Sequence, residues 1–236
     1  MTGTVLFWDI DGTLLTTGRA GIFAWQEALR QEIGREVDLD DFDTAGLPDP
    51  LIAIRLLQEF GNGERDSAGL RLLRGYEQRL PASLSRRVGR VLPNVREILD
   101  SLKPRTDVHS MLLTGNTRAG AAAKLAHYGL DRYFVGGAFS DGTEDRAGIA
   151  RNALAEARLL LGELQPGRLY VIGDTPHDVA CGKAIDARVV AVATGGVPLG
   201  QLQALSPWWA VEQLPDPATF LSRLDIAPVT EHGWRS

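Results

Sequence analysis

Cysteine is nearly missing from this chain: Cys181 is the single one in 236 residues. One thiol cannot close an internal disulfide, so no disulfide framework holds the fold, and a reducing compartment is expected. Cys181 stands among small and apolar residues on an expected helix, which reads as packing and not as a reactive thiol. Long apolar runs are missing as well. No window approaches the roughly 20 apolar residues that span a bilayer. Residues 1–5 lack the basic and then apolar pattern of a secretory leader, so a cytoplasmic protein is the expectation. Basic patches are scarce: net charge is −5, and only short clusters such as Arg86, Arg87 and Arg90 occur. That leaves no electrostatic footprint for nucleic acid, and no membrane partner is expected. Internal repeats and low-complexity segments are absent too. What is there is 44% hydrophobic and 23% charged, close to an ordinary soluble globular chain. The length suits one sizeable core, or a core domain with a smaller second one. Oligomeric state is not legible.

The run Val5-Leu6-Phe7-Trp8 is apolar on both faces, as in a buried strand of a parallel sheet. Helical spacing follows over 20–33, 49–60 and 65–80, with an acidic stretch at 38–43 between the first two. No strand signal interrupts this block. Beyond it the pattern alternates. Helices are expected at 93–102 (Pro93 opening it), 117–128, 144–161, 176–184 and 217–224. Strands are expected at 108–113, 133–135, 169–172 and 189–193, and the run 208–211 closes the fold together with the last helix. The tail from 227 is polar and expected to be loosely held. Alternation of this kind implies an α/β fold, a doubly wound parallel sheet. The helical block reads as an inserted all-helical domain after the first strand. Residues 1–16 and 88–236 would form the α/β core and residues 17–87 the insertion.

In an open parallel sheet, ligands bind beyond the carboxyl ends of the strands. The residues there are Asp9 and Asp11, then Thr114-Gly115-Asn116, then Gly173-Asp174-Thr175 with Asp178 one helical turn on. Crowded carboxylates repel, and a hard divalent cation relieves the repulsion. A carboxylate can also attack phosphorus and form an aspartyl-phosphate, with a metal screening the charge. Asp9 and Asp11 lie two apart. A turn at Gly12 would swing Asp11 toward the reacting group, leaving a nucleophile and a separate acid/base. Each of these residues has a plain structural reading as well: Asp174 or Asp178 alone reads as a helix cap, and Thr114 alone as a strand end. It is the ordered set that points to chemistry.

That set resembles the haloacid dehalogenase superfamily, whose members are mostly phosphatases. The resemblance covers most of the chain in order. It rests on Asp9-Ile10-Asp11-Gly12-Thr13-Leu14, Thr114-Gly115-Asn116 and Gly173-Asp174-Thr175-Pro176-His177-Asp178, and residues 166–195 look most like the phosphoglycolate phosphatase branch. The superfamily also places a basic residue at a helix start some thirty residues after the second motif. Arg146, 32 positions past Thr114, takes that role here, with Lys124, ten positions past it, as the competitor. The resemblance implies a Rossmann-like core with a helical cap and a Mg2+-dependent phosphatase acting on a small organic phosphate monoester. Asp9 would be the nucleophile and Asp11 the acid/base. Thr114, Gly115, Asn116 and Arg146 would hold the phosphoryl group. Asp9, the Asp11 carbonyl, Asp174 and Asp178 would hold the metal, Asp178 directly or through water. A phosphomutase or a 2-haloacid dehalogenase uses the same scaffold; Asp11 argues against the dehalogenase, which has no alkoxide to protonate. A non-catalytic binding protein on the same fold is the reading from a different class, and the full set of functional groups argues against it. His177 reads as solvent-facing. Phe23 and Trp25 read as cap packing or as pocket lining. Gly46-Leu47-Pro48-Asp49 stands where relatives place a cap loop over the active site, and Asn94 stands where relatives often carry glycine.

Overall fold

The computed structural model describes residues 3–61, 66–141 and 145–227. Strand β1 (Thr4–Trp8) opens the chain, and β2 (Leu15–Thr16) follows the turn at Gly12. Then come three helices, α1 (Ala20–Ile33), α2 (Asp49–Phe60) and α3 (Asp66–Arg86). Strand β3 (Arg90–Val91) brings the chain back. The rest alternates: α4 (Val95–Leu102), β4 (Val108–Leu113), α5 (Arg118–His127), β5 (Gly137–Ala138), α6 (Arg146–Leu161), β6 (Leu169–Gly173), α7 (Pro176–Ala184), β7 (Arg188–Val192), α8 (Leu199–Ala204), β8 (Trp209–Val211) and α9 (Pro217–Arg223).

Six strands form one sheet in the order β5-β4-β1-β6-β7-β8, every pair parallel. This is the expected α/β class with a helical insertion. All five residues of β1 are buried, because helices cover both faces of the sheet. The two-residue period of the strand divides them. Leu6 and Trp8 join Tyr170, Ile172, Ile98 and Phe220 on one face. Val5 and Phe7 join Met111, Val171, Ile149 and Ala153 on the other. Trp8 is fully buried, and its indole N–H donates to Ser110 Oγ at 3.3 Å.

The insertion has its own core, built from Trp25, Leu29, Leu56, Leu72, Tyr76 and Leu80. The rings of Trp25 and Tyr76 stack with centroids 4.0 Å apart and planes within 4°. The chain enters and leaves this block through a short antiparallel ribbon, Leu15 opposite Val91 and Thr16 opposite Arg90. At its exit Gly18 and Arg19 are both left-handed, with φ of 58° and 67°. A Cβ on Gly18 would meet the Val88 carbonyl oxygen at 2.5 Å, so the two crossings touch.

Several sequence expectations are corrected. The apolar triplet 133–135 is not a strand. Asp131–Tyr133 is a single 3-10 turn, and the edge strand lies further on at Gly137–Ala138. Tyr133 packs into the core instead, and its hydroxyl donates to Asp100 at 2.6 Å. Gly137 takes the strand position because a Cβ there would meet the Leu112 side chain at 2.5 Å. Helix α3 runs on to Arg86, straight through Pro81. Leu80 and Leu84 are fully buried in the insertion core, and their packing offsets the hydrogen bond that Pro81 removes. Helix α4 starts at Val95, two residues after Pro93. Its N-cap Asn94 is left-handed (φ 62°), a conformation that favours glycine or asparagine, and its side-chain amide donates to the Leu214 carbonyl at 2.7 Å. The ribbon β2–β3 and helix α8 carry too few periodic residues to be anticipated. The expected helix starts at 65 and 144 and the tail beyond Ala227 lie outside the described residues.

Candidate active site

Three adjacent strands, β4, β1 and β6, point their carboxyl ends at one rim. Asp9 follows β1 directly and Asp174 follows β6. Thr114, Gly115 and Asn116 follow β4. Asp9, Asp11, Gly115, Asn116, Arg146 and Asp174 all line one cavity of about 410 Å³ between the sheet edge and the helical insertion. Thr114 and Asp178 are fully buried one layer behind it. Every site residue expected from the sequence is therefore within one constellation.

Local structure explains each position. Gly12 has φ of 80°, which turns the chain back so that its N–H donates to the Leu15 carbonyl at 2.9 Å. A Cβ on Gly12 would meet Asp174 Oδ2 at 2.5 Å, so the glycine leaves room for that carboxylate. Thr13 donates its hydroxyl to Asp174 Oδ1 at 2.9 Å. Asp178 is the third residue of α7 and completes a capping box with Thr175. Its Oδ2 accepts from the Thr175 N–H at 3.0 Å and from the Thr175 hydroxyl at 2.6 Å. Its Oδ1 accepts from Arg146 Nη2. The helix-cap reading of Asp178 holds, and the same carboxylate also reaches Arg146 beside the cavity.

The electrostatics are severe. Asp9 is 6% exposed, and burial pushes its carboxyl up to about 7, helped by the charge of Asp178 and opposed by Arg146. Burial likewise pushes Asp174 up to about 9, with Asp178 and then Asp9 adding to it. Arg146 opens α6 and is itself buried. Burial would lower its pKa, but Asp178 and Asp9 hold the guanidinium above its ordinary value. Its Nη1 stands 3.9 Å from Asp9 Oδ1. Oxygens of Asp9, Asp174 and Asp178 lie within 4.8 Å of one another. This buried, all-oxygen donor set suits a hard divalent cation and not a thiophilic one. Both Asp178 oxygens already have partners, so Asp178 would support such an ion from behind Asp9 and Asp174.

The insertion closes the other side. Gly46, Leu47 and Asp49 line the cavity together with Ile22, Trp25 and Tyr76. The Asp49 N–H donates to the Gly115 carbonyl, and the Asp49 carboxylate accepts from the Thr117 N–H, both at 2.8 Å. Asp49 is 4% exposed, and burial raises it to about 7 against the lowering effect of Lys124. Phe23 does not line the cavity; Arg87 lies over its ring, 3.3 Å from the centroid. His177 is exposed, beside Gly46. Cys181 is fully buried, and burial pushes its thiol up to about 12, in keeping with packing.

A fourth strand end was missed. Thr194, just past β7, donates its hydroxyl to the Gly12 carbonyl at 2.5 Å. A Cβ on Gly195 would run into the Asp174 carboxylate. The run Ala193-Thr194-Gly195-Gly196 after an apolar strand carries the signal that would have found them. Lys124, set aside as the weaker anchor, is also in the site: it is 5% exposed along its side chain and donates to Asp11 Oδ2 at 2.5 Å.

A parallel-sheet core with a helical insertion and an acidic rim at the strand ends defines an α/β protein with a candidate active site. The family model for haloacid dehalogenase-like hydrolases matches residues 6–183, and the chain belongs to that family. A curated relative, provisionally named pyrophosphatase PpaX, from Caldanaerobacter subterraneus subsp. tengcongensis, is 23% identical over 212 residues, 89% of this chain and 91% of that one. Among solved structures, a HAD hydrolase of family IA, variant 3, from Entamoeba histolytica aligns with a TM-score of 0.71 at 15% identity, covering 94% of this chain and 99% of that one. A predicted phosphoglycolate phosphatase from Haemophilus somnus aligns at 0.70 with 17% identity, covering 94% and 98%. At these identities the structures share the fold.

Proposed function

We propose that the protein is a magnesium-dependent phosphatase that hydrolyses a small organic phosphate monoester through an aspartyl-phosphate on Asp9. The observation that carries this reading is the pairing on one rim of a buried carboxylate, Asp9, with a second and more exposed one, Asp11, two residues on. Its side chain is 44% exposed, against 8% for Asp9. Asp9 lies beside Arg146 and in the carboxylate cluster, where the guanidinium and a bound cation would keep it ionised for attack, whereas Asp11 faces the open cavity. Asp9 attacks phosphorus, Asp11 gives its proton to the leaving alkoxide, and Asp11 then takes a proton from the water that opens the aspartyl-phosphate. Thr114, the Gly115 N–H and Arg146 hold the phosphoryl oxygens, and Asn116 stands beside them with its side-chain amide on Asp11 and Thr114. Arg146 is the anchor, since its guanidinium stands beside Asp9. Asp9, the Asp11 carbonyl and Asp174 would hold Mg2+, with Asp178 behind them. The ion supplies charge neutralisation between the phosphoryl group and the attacking carboxylate. Residues 17–87 act as the cap, and the cavity of about 410 Å³ is of small-molecule size.

Two measurements test this. Purified protein incubated with magnesium and a panel of phosphate monoesters is expected to release phosphate, and EDTA to abolish the release. Metal-independent turnover, above all of a 2-haloacid, would replace this reading with dehalogenation. The second measurement is thermal. Raised carboxyl values in the folded state mean that the folded protein binds more protons than the unfolded chain above pH 4. Metal-free stability therefore falls as pH rises. The fall levels off past about 7 for Asp9 and Asp49 and past about 9 for Asp174. Without metal, Tm is expected to drop by several degrees between pH 5 and pH 8.5, at roughly 2–4 °C per kcal/mol for this size. Magnesium restores part of the loss at the upper pH. A flat profile would mean that the carboxylates are not crowded.

A further inference from the structure

Lys124 is a strange residue for its place. It sits in the interior of α5, side chain 5% exposed, where a helix facing a core has no use for an ammonium group. A buried charge is costly unless it is matched, and its partners say what it is for. Its Nζ donates to Asp11 Oδ2 at 2.5 Å and to Asn116 Oδ1 at 2.6 Å. The Asn116 amide donates to the same Asp11 Oδ2 at 2.9 Å and to Thr114 Oγ1 at 2.8 Å. One oxygen of Asp11 thus accepts from two donors, and both residues line the cavity beside it. The nucleophile Asp9 has a different cation, Arg146.

We infer that Lys124 is the positioning residue for Asp11: with Asn116 it locks Oδ2 and leaves Oδ1 as the oxygen that meets the leaving group. This deepens the phosphatase reading and rests on it. As the bond from phosphorus to the ester oxygen breaks and the bond to Asp9 forms, the proton on Asp11 Oδ1 passes to the departing oxygen. Lys124 exchanges nothing in that step. It removes the freedom of Asp11 to rotate away, which matters because the Asp11 side chain is 44% exposed. Lys124 is the second cation of the rim, and this geometry gives it a task separate from anchoring phosphate.

The two tasks separate by leaving group. An alkyl phosphate needs an acid to expel its alkoxide, whereas 4-nitrophenyl phosphate expels a stable phenolate with little help. kcat/KM reports formation of the phosphoenzyme, where this difference lies. For Lys124→Met with magnesium, kcat/KM is expected to fall about 30-fold or more with an alkyl phosphate. With 4-nitrophenyl phosphate it should stay within about threefold of the parent, as should inhibition by inorganic phosphate. In an Asp11→Asn background, adding Lys124→Met should change neither ester by more than about threefold, because Lys124 acts only through Asp11. Equal losses for both esters, weakened phosphate inhibition, or losses that multiply with Asp11→Asn would each overturn the inference. So would an unaffected alkyl reaction. Lys124→Leu serves the same comparison if the methionine variant does not fold, and Lys124→Gln, which keeps a donor, should recover part of the alkyl reaction. The parent protein is assayed alongside: no turnover of either ester by the parent sinks the phosphatase reading itself, and this inference with it.

Discussion

Asp9→Asn is expected to lower phosphate release by roughly two orders of magnitude or more, with every ester tested, while leaving the protein at least as stable as before. Loss of activity alone would be weak evidence, since many substitutions in a buried site unfold it. The sign of the stability change makes this one informative. Asp9 is buried against Asp178 and Asp174, and burial together with the Asp178 charge raises its carboxyl to about 7. Its charged form is therefore unfavourable in the metal-free fold. Asparagine keeps the shape and the hydrogen-bonding capacity toward Thr114 and removes that charge. In metal-free protein at pH 8 the variant is expected to melt at the same temperature as the parent or higher. The stabilising response to magnesium should shrink, because one of its carboxylates is gone. The checks are a phosphate-release assay and thermal melts with and without magnesium. Full activity in Asp9→Asn, from preparations free of contaminating phosphatase, would remove the aspartyl-phosphate. A melt several degrees below that of the parent would mean that Asp9 is held as a structural ion pair.

The sequence was more legible at the site than in the fold around it, for a physical reason. The site residues follow long buried strands, β1, β4 and β6, whose apolar runs are unmistakable, so Asp9, Thr114 and Asp174 could be placed on one rim by topology alone. The errors fall where an element is short or where tertiary packing decides. Gly137–Ala138 is a strand because only glycine fits against Leu112, not because it is apolar. Helix α3 continues through Pro81 because Leu80 and Leu84, on either side of it, are buried. The least legible part was the contact that Lys124 makes with Asp11. The position of this lysine in mid-helix argued against an anchor, and nothing in spacing could tell that α5 turns this side chain toward Asp11 at 2.5 Å. The Thr194 and Gly195 loop escaped for a similar reason: its parts act through a hydroxyl on the Gly12 carbonyl and through the space a missing Cβ leaves for Asp174.

Arg146→Met is expected to damage both stability and activity, whereas Asp9→Asn damages activity alone. Arg146 is the cation nearest the nucleophile, and it spans two buried carboxylates with different nitrogens, Nη2 to Asp178 and Nη1 toward Asp9 Oδ1 at 3.9 Å. Methionine fills much of the volume but leaves both acids without it. Removing one partner of a buried pair costs about 3–5 kcal/mol, which corresponds to roughly 10 °C in Tm for a chain of this size. The capping box limits the loss, because Asp178 keeps the Thr175 N–H and hydroxyl on its other oxygen. Asp9 has less to fall back on. Arg146 is what pulls its carboxyl down against burial, so without the guanidinium Asp9 holds its proton to higher pH. The acidic limb of kcat/KM is then expected to move upward in pH. The phosphoryl anchor disappears in the same step, so kcat/KM falls by about 100-fold or more with alkyl and aryl esters alike. That uniform loss is the opposite of the leaving-group dependence expected at Lys124. Arg146→Lys separates charge from geometry. A single ammonium nitrogen restores the sign of the charge but cannot reach Asp178 and Asp9 as a fork does, so stability should recover more than activity. Equal recovery of both would mean that Arg146 acts by charge alone.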